Sequence, residues 1–363
     1  MGIFLYFIHI NMQRAAIAER RQTIPILANL RLKAYSGMLE VTATDLEIQI
    51  KNYSELLTIE EEGETTVSAR KMSELCRSLP DAENVEFTLK DGKLTVSSKN
   101  FHGDFATISA EDFPELEVKE EQEAIEISSG SLKRILSKTA FSMASQDVRY
   151  YLNGLLLELS SGELKGVATD GHRLALSSIE TKGNGLEMRN ILPRKAVLEL
   201  TKLLSAEDSP VEILVGPTYL GVKTDNLSFS SKLIDGKYPD YEKVFPSGEP
   251  HPLTVGKQTL QSALSRASVL SNEKYRGVRF ELSKGALKLT ANNPEQESAE
   301  EVLEVDYQGA ELEVGFNIGY LIDVLGSIEE EIVKFEFYGE DSSCVIKEPT
   351  SETEVYVIMP MRL

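Results

Sequence analysis

The chain has 363 residues, of which 41% are hydrophobic and 26% charged, and its formal net charge at pH 7 is −20. This length exceeds one ordinary hydrophobic core and predicts two or three domains, while the average composition argues against a largely disordered protein. If the negative charge is evenly spread, it excludes general attraction to nucleic acid or anionic membranes.

The chain begins with an apolar run, IFLYFIHI (3–10), which is too short to span a bilayer and lacks the features of a signal peptide. We predict a buried strand there. Cys76 and Cys344 are far apart and fit neither a disulfide framework nor a zinc-binding spacing, which indicates a cytoplasmic protein. The four histidines show no metal-binding pattern, so we expect no metal and no other cofactor.

A long internal repeat organises the chain. SGMLEVTATDLE, SGELKGVATDGH and KGALKLTANNPE each combine a glycine turn with an alternating strand pattern, and their glycines are Gly37, Gly162 and Gly285. The spacing between these glycines is about one domain length. We therefore predict an α+β protein of three similar domains, over residues 1–122, 123–247 and 248–363.

Amphipathic helices repeat at the same spacing. ARKMSELCRSLP, PRKAVLELTKLL and FNIGYLIDVLGS each carry apolar residues on one helical face. A DG turn within VEFTLKDGKLTVSS (85–98) predicts a β-hairpin.

The stretch VATDGHRLAL (167–176) places an aspartate, a histidine and an arginine around a glycine, as an active site would. Its repeat equivalents, ATDLEI and ANNPEQ, lack the histidine and arginine. We interpret Thr169 and Asp170 as turn-forming residues and His172 and Arg173 as a recognition surface, because no serine or cysteine nucleophile motif accompanies them. The alternative is a hydrolytic enzyme that uses Asp170, His172 and Arg173.

Charge is segregated along the chain. Six segments with helical patterns (10–22, 68–80, 129–146, 193–205, 257–276 and 317–328) carry +11 together, so −31 falls on the remainder. Helix propensity does not explain this sign, since glutamate favours helices as well as lysine does. If these helices share one surface, they offer a basic track for phosphates, as on the inside of a ring.

Several long motifs resemble the beta subunit of bacterial DNA polymerase III, the sliding clamp. They are QDVRYYLNGLLLE (146–158), ATDGHRLAL (168–176), LSNEKYRGVR (270–279), TANNPEQE (290–297) and the terminal YVIMPMRL (356–363). The resemblance extends from about Arg21 to Leu363. It implies three clamp domains per chain and a head-to-tail homodimer that closes into a ring around duplex DNA, with helices lining the hole and antiparallel sheets outside.

The resemblance also implies a function without catalysis. The ring is a processivity factor that tethers the replicative polymerase to DNA, and the clamp loader and repair proteins bind through short linear motifs of the Gln-Leu-x-Leu-Phe type. The groove for these motifs is implied at the following positions: Leu152, Thr169, Gly171, His172, Arg173, Leu174, Pro239, Val244, Asn317, Tyr320, Met359, Pro360, Met361 and Arg362.

DNA contacts and the dimer interface are implied in the same way. The DNA-facing positions are Arg21, Arg70, Gln146, Tyr150, Tyr151 and Arg194. The interface positions are Lys71, Phe105, Val269, Leu270, Glu297 and Glu301, with an edge strand around Phe105 and with Lys71 facing the two glutamates.

Two features depart from the family pattern. An aromatic residue is usual at the interface position where this chain has Gly103, and Phe101 or Phe105 would replace its contact. Residues 1–22 match the usual start of the family poorly. A third hypothesis, a scaffold that binds peptides but never meets DNA, also stays open.

Overall fold

The computed structural model describes residues 24–56, 58–80, 84–116, 123–181 and 185–362, together with the backbone of Gly2–Leu5. The chain folds into two compact units, Met1–Leu132 with Leu198–Leu233, and Lys133–Val197 with Ile234–Leu363. The central third of the chain contributes to both units. Three domains with boundaries after residues 122 and 247 therefore stay a prediction.

The first part of the chain alternates short strands with two helices. The strands are β1 (Gly2–Leu5), β2 (Asn29–Tyr35), β3 (Met38–Thr44), β4 (Ile48–Glu55), β5 (Thr58–Ile59), β6 (Gly63–Ser68), β7 (Val85–Lys90), β8 (Lys93–Ser98), β9 (Phe101–Ile108) and β10 (Glu123–Ser128). The helices are α1 (Ala69–Ser78) and α2 (Ser129–Thr139).

The remainder of the chain repeats this alternation. Its strands are β11 (Gly154–Ser160), β12 (Glu163–Thr169), β13 (Arg173–Glu180), β14 (Met188–Pro193), β15 (Pro210–Val215), β16 (Tyr219–Thr224), β17 (Leu227–Lys232), β18 (His251–Gly256), β19 (Gly277–Ser283), β20 (Ala286–Asn292), β21 (Ser298–Glu304), β22 (Asp306–Tyr307), β23 (Leu312–Asn317), β24 (Ile332–Phe337), β25 (Cys344–Lys347) and β26 (Glu354–Ile358). Its α-helices are α3 (Arg194–Leu203), α4 (Lys257–Ser268) and α5 (Ile318–Ser327).

The strands form antiparallel sheets within each unit. The first unit holds a 13-stranded sheet, in the order β10-β15-β16-β17-β4-β3-β2-β6-β9-β8-β7-β1-β5. The second unit holds a nine-stranded sheet, β14-β11-β12-β13-β26-β25-β24-β18-β22, and a four-stranded sheet, β21-β20-β19-β23. The α+β fold with antiparallel sheets is therefore confirmed.

The predicted glycine turns are confirmed as hairpin turns. Gly37, Gly162 and Gly285 connect β2 to β3, β11 to β12 and β19 to β20, with φ of +80°, +82° and +74°. The Asp91–Gly92 pair also has positive φ at both residues, as a type I′ turn between β7 and β8 requires. The sequence repeat thus corresponds to a repeated hairpin.

The three predicted amphipathic helices are α1, α3 and α5. Ser68 caps α1, since its side chain accepts a hydrogen bond from the Lys71 amide. Asn317 caps α5 by accepting hydrogen bonds from the amides of Gly319 and Tyr320 at 2.8 and 3.3 Å. Within the described part of the chain, no helix is long and apolar enough to cross a membrane.

The predicted N-terminal strand is confirmed only where it overlaps β1, at residues 3–5. Residues 6–10 lie outside the described residues, and the predicted burial stays a prediction. The core of the second unit is aromatic. Phe280 and Phe316 are fully buried and meet edge to face, with ring centroids 5.3 Å apart.

One pairing in the second unit positions the candidate site. β13 pairs with β26 so that Arg173 faces Ile358 and Leu174 faces Val357. The segments ATDGHRLAL and YVIMPMRL, which are nearly 200 residues apart in sequence, therefore lie side by side. This juxtaposition builds one wall of the site from each segment.

Candidate binding groove

The loop from Thr169 to Arg173 is a tightly hydrogen-bonded turn. The Thr169 hydroxyl donates to the Arg173 carbonyl at 2.6 Å and accepts from the Gly171 amide at 3.0 Å. The Asp170 carboxylate accepts from the amides of His172 and Arg173 at 2.9 and 3.0 Å. The turn-forming roles predicted for Thr169 and Asp170 are confirmed, and Gly171 is required there by its φ of +90°.

Arg173 anchors this turn to the neighbouring elements. Its guanidinium donates to Asp170 at 3.0 Å, to Asp323 of α5 at 2.5 Å and to the Phe141 carbonyl at 2.7 Å. It also lies 4.5 Å from the centroid of the Tyr320 ring. Because the side chain is only 10% exposed, Arg173 fixes the shape of the site rather than offering a free charge.

His172 is exposed and lies against Tyr320. The two rings stack, with centroids 6.4 Å apart and an interplanar angle of 20°. The His172 carbonyl accepts from the Met359 amide at 2.8 Å, while its ring makes no hydrogen bond to any residue that the structure describes. Burial is the largest cause that raises the pKa of Tyr320, followed by the charge of Asp170. The two rings therefore form an aromatic surface at the rim.

An apolar floor lies beneath this rim. Leu152 and Leu174 are buried in one cluster with Tyr238, and Val244 packs against the cluster. The Tyr238 hydroxyl accepts from the Thr169 amide at 3.1 Å, and burial raises its pKa. The floor is thus tied directly to the turn that forms the rim.

The C-terminal segment forms the wall next to this turn. The Met361 amide donates to the Gly315 carbonyl at 2.8 Å. The Met359 thioether accepts from the Ser343 hydroxyl at 3.2 Å. Met359, Pro360 and Met361 are half-buried, so flexible apolar side chains line this wall with part of their surface open.

Most of the implied groove residues are joined by contacts. Hydrogen bonds and ring contacts link Thr169, His172, Arg173, Tyr320 and Met359. The apolar cluster of the floor contains Leu152 and Leu174, and Val244 packs against it. Pro239 is exposed, next to the buried Tyr238. Two further residues, Met361 and Arg362, lie on the C-terminal wall itself. Asn317 is the N-cap of α5, and its side chain donates a hydrogen bond to the Tyr275 carbonyl at 3.2 Å.

Sequence reasoning missed Arg149. Its guanidinium donates to the Asp170 carbonyl at 3.1 Å and is held by Asp147 through contacts of 3.0 and 2.9 Å. It covers Gly171 so closely that a β-carbon there would lie 2.9 Å from a guanidinium nitrogen. Nothing in the motif DVRYY indicates this contact, since Arg149 and Gly171 meet only in the folded chain.

The implied DNA-facing residues differ in exposure. Gln146 and Tyr150 are exposed. Tyr150 begins a short 3-10 helix (Tyr150–Leu152), and the Tyr151 ring meets the Tyr150 ring edge to face, with centroids 5.8 Å apart. Arg70 is exposed on α1 and pairs with Glu74 at 3.2 Å. Arg194 is half-buried and donates to the Met143 carbonyl at 3.0 Å, so it is less free than expected. Arg21 lies outside the described residues.

The implied interface strand has an open edge. β9 pairs with β8 at residues 101–106 and with β6 only at residues 107 and 108. The second edge of 101–106 therefore pairs with no strand among the described residues. The Phe101 ring lies across Gly103, with its Cζ 2.8 Å from where a β-carbon would stand. Phe101 thus occupies the space that a side chain at position 103 would need. Phe105 packs against the core of the unit.

The implied partner surface for this edge is partly occupied by internal pairs. Val269 is 77% exposed at the end of α4, beside the half-buried Leu270. Glu301 pairs with Arg266 at 3.0 Å, and this arginine lowers the pKa of Glu301. Glu297 accepts from the Asn293 side chain at 2.7 Å, and Lys71 is exposed on α1.

The two cysteines are poor candidates for nucleophiles. Both are buried, and burial raises the pKa of Cys76 to about 12 and that of Cys344 as well. No metal-binding group of histidine, cysteine, aspartate or glutamate occurs among the described residues.

Comparisons with known proteins agree across the whole chain. Models of the DNA polymerase III beta subunit match its N-terminal domain at residues 8–117, its central domain at 126–240 and its C-terminal domain at 242–362. The first match begins before Arg21, where we expected the resemblance to start.

Individual relatives are similar over nearly their full length. The beta sliding clamp of Pseudomonas aeruginosa is 44% identical over 350 residues, which cover 96% of this chain and 95% of that protein. The beta sliding clamp of Escherichia coli K12 is 42% identical, with 94% of each chain covered. Crystal structures of the P. aeruginosa protein, one of them bound to griselimycin, superpose with TM-scores of 0.95 and 0.96 at 42% identity and full coverage of both chains. The chain therefore belongs to the beta sliding clamp family, the beta subunits of DNA polymerase III.

Proposed function

We propose that this chain is a DNA sliding clamp, a processivity factor that encircles duplex DNA and tethers the replicative polymerase. The observation that carries the proposal is the groove, in which the DGHR turn and the C-terminal segment enclose an apolar floor. The family membership supports it. The chain acts by holding its partners on DNA and not by catalysing a reaction.

The groove receives short apolar peptide motifs. The half-buried Val244 supplies apolar surface, and it packs against the buried cluster that contains Leu152 and Leu174. Met359 and Met361 supply adaptable side chains along the wall. Peptide grooves of this kind gain affinity from a few apolar anchors, while methionine accommodates different partners. Replicative polymerase, clamp loader and repair proteins would therefore compete for one site.

Peptide binding tests this part of the proposal. A fluorescent Gln-Leu-Ser-Leu-Phe peptide is titrated with the wild-type protein and with His172→Ala and Met361→Ala. Each truncation should weaken binding by about 1–2 kcal/mol, or roughly 5- to 30-fold. His251→Ala is the matched control and should bind like wild type, because this exposed histidine of β18 belongs neither to the groove nor to the open edge of β9. Equal affinity of all four proteins would rule out this groove.

The hydrolase alternative receives little support from the site. Asp170 is engaged by the amides of His172 and Arg173 and by the Arg173 guanidinium. Arg173 is itself fully paired. An enzyme would also lose turnover in His172→Ala without needing a protein partner, which distinguishes the two functions.

The chain forms a head-to-tail homodimer that closes into a ring. The open edge of β9 is a natural site for strand pairing, and the exposed Val269 provides an apolar contact on the third domain. Sedimentation equilibrium should give twice the chain mass of 40.3 kDa. A stable monomer would contradict ring closure while leaving the peptide groove untouched.

The ring contacts DNA phosphates weakly and without reading sequence. The described positions that carry this contact are Arg70, Gln146, Tyr150, Tyr151 and Arg194. The affinity for DNA should fall as salt rises. The decisive assay loads the protein onto nicked circular DNA with a clamp loader and then linearises the DNA. Release on linearisation is expected of a ring that encircles DNA, whereas a scaffold that never meets DNA would fail to load.

A further inference from the structure

A cavity of about 420 Å³ lies beside the C-terminal segment in the second unit. Arg279 of β19 and Arg362 line it together with Asn272, Tyr275, Asn292 and Met361. None of the residues that line the cavity is acidic. The cavity thus has a positively charged lining on a chain whose net charge is −20.

The cavity continues the groove. Met361 and Arg362 border the cavity and also belong to the groove wall. The Met361 amide is bound to the carbonyl of Gly315, and Gly315 is the residue that pairs with Arg279 across β23 and β19. A peptide that follows the C-terminal segment therefore reaches Arg279 without leaving the surface.

Both arginines can still donate hydrogen bonds to a ligand. Arg279 is 39% exposed at its side chain and holds Glu313 at 3.0 Å through one of its terminal nitrogens. Arg362 is exposed and forms no ion pair with any residue that the structure describes. Tyr275 is 56% exposed and adds an aromatic face. A guanidinium group can bind a carboxylate through two parallel hydrogen bonds.

We propose that this cavity binds an acidic side chain that flanks the apolar motif of a partner peptide. This inference rests on the proposed peptide groove and adds a charge preference to it. The acidic surface of the chain would repel such a residue elsewhere, so the two arginines give it one favourable position. A DNA phosphate has related chemistry, but continuity with the groove favours the peptide.

Four peptides test the proposal. Asp-Asp or Asn-Asn is added at the amino or the carboxyl end of Gln-Leu-Ser-Leu-Phe, and their affinities for the full-length protein are measured by fluorescence anisotropy at low salt. At one of the two ends, the acidic peptide should bind about three- to tenfold tighter than its Asn-Asn control. The gain should shrink as salt increases.

Variants of the protein test whether the tighter binding of the acidic peptide depends on the cavity. Arg279→Gln should remove most of this gain and leave the affinity for the Asn-Asn peptides unchanged. Arg362→Gln, at a residue of the groove wall, should also remove most of the difference between the acidic and the neutral peptide. Glu313→Gln should enlarge it, because Arg279 loses a competing carboxylate. Lys334→Gln removes the same charge from a residue that lines neither the groove nor the cavity, and it should have no effect.

The outcomes separate this inference from the groove itself. Equal binding of acidic and neutral peptides, or a gain that survives both arginine variants, overturns the cavity proposal while the groove stands. Failure of every peptide to bind overturns both. A short DNA duplex that displaces the acidic peptide but not the neutral one would assign the cavity to phosphates and overturn the proposal.

Discussion

Replacing Arg173 with alanine should destabilise the second unit and damage the groove together. The arginine and Asp170 are 10% and 16% exposed at their side chains, so their pair is largely removed from water. Asp323 is 46% exposed, and its share is correspondingly small. The Phe141 carbonyl also loses a donor in a partly buried position.

The loss of folding stability in Arg173→Ala is the sum of these lost contacts. A charged hydrogen bond in a largely buried site contributes about 1.5–3 kcal/mol, and an abandoned carbonyl costs about 1–3 kcal/mol. Together with the Tyr320 contact, a loss of about 3–5 kcal/mol is expected, which is typical of breaking a buried ion pair. For a unit of this size the melting temperature should fall by roughly 6–20 °C.

The assay is thermal unfolding followed by peptide titration below the melting temperature of the variant. Peptide affinity should fall at least about tenfold, because the turn and Tyr320 lose their common support. Arg70→Ala is the control, since Arg70 and its partner Glu74 are 65% and 61% exposed at their side chains. It should cost less than about 1 kcal/mol. If Arg173→Ala melts like the control, the anchoring role is refuted.

Three further predictions concern other parts of the chain. Gly103→Phe should weaken the dimer measured by sedimentation, because the new side chain must displace the Phe101 ring that lies over position 103; an unchanged dimer would contradict this. Cys76 and Cys344 should resist alkylation at pH 7.5 until the protein is unfolded, since burial raises both pKa values; rapid native labelling would contradict their burial. Burial raises the pKa of Glu354, but hydrogen bonds from Thr353, Ser351 and Arg134 outweigh it and hold this pKa below 4.5. This stabilisation is present above pH 4.5 and is lost as pH falls through the lower folded value, so Glu354→Gln should flatten the acid limb of a melting-temperature profile.

The repeat could be predicted because its determinants are local. A glycine with positive φ, such as Gly37 or Gly162, marks a hairpin wherever the flanking residues alternate. The helix that follows each hairpin is indicated by its apolar period of 3.6. These features depend on a few neighbouring residues and need no knowledge of the rest of the chain.

Local sequence patterns do not predict which distant strands pair with each other or which groups a single arginine contacts. Strand β17, from the central third, pairs with β4, whereas β13 pairs with β26. Such pairings join residues more than a hundred positions apart, and no short sequence window contains both partners. Arg149 escaped notice for the same reason, and Arg194 is less free than its position in a basic segment indicated.

The sequence by itself determined the α+β class, the hairpin and helix repeats, and the motifs that carry the family resemblance. Only the tertiary structure decided that Arg173 is an internal anchor, that Phe101 occupies the space beside Gly103, and that Arg279 and Arg362 share a cavity. The physical reason is that hydrogen-bonding turns and amphipathic periods arise between neighbours in the chain. Burial, charge pairing and cavity shape depend on which distant segments the sheets bring together.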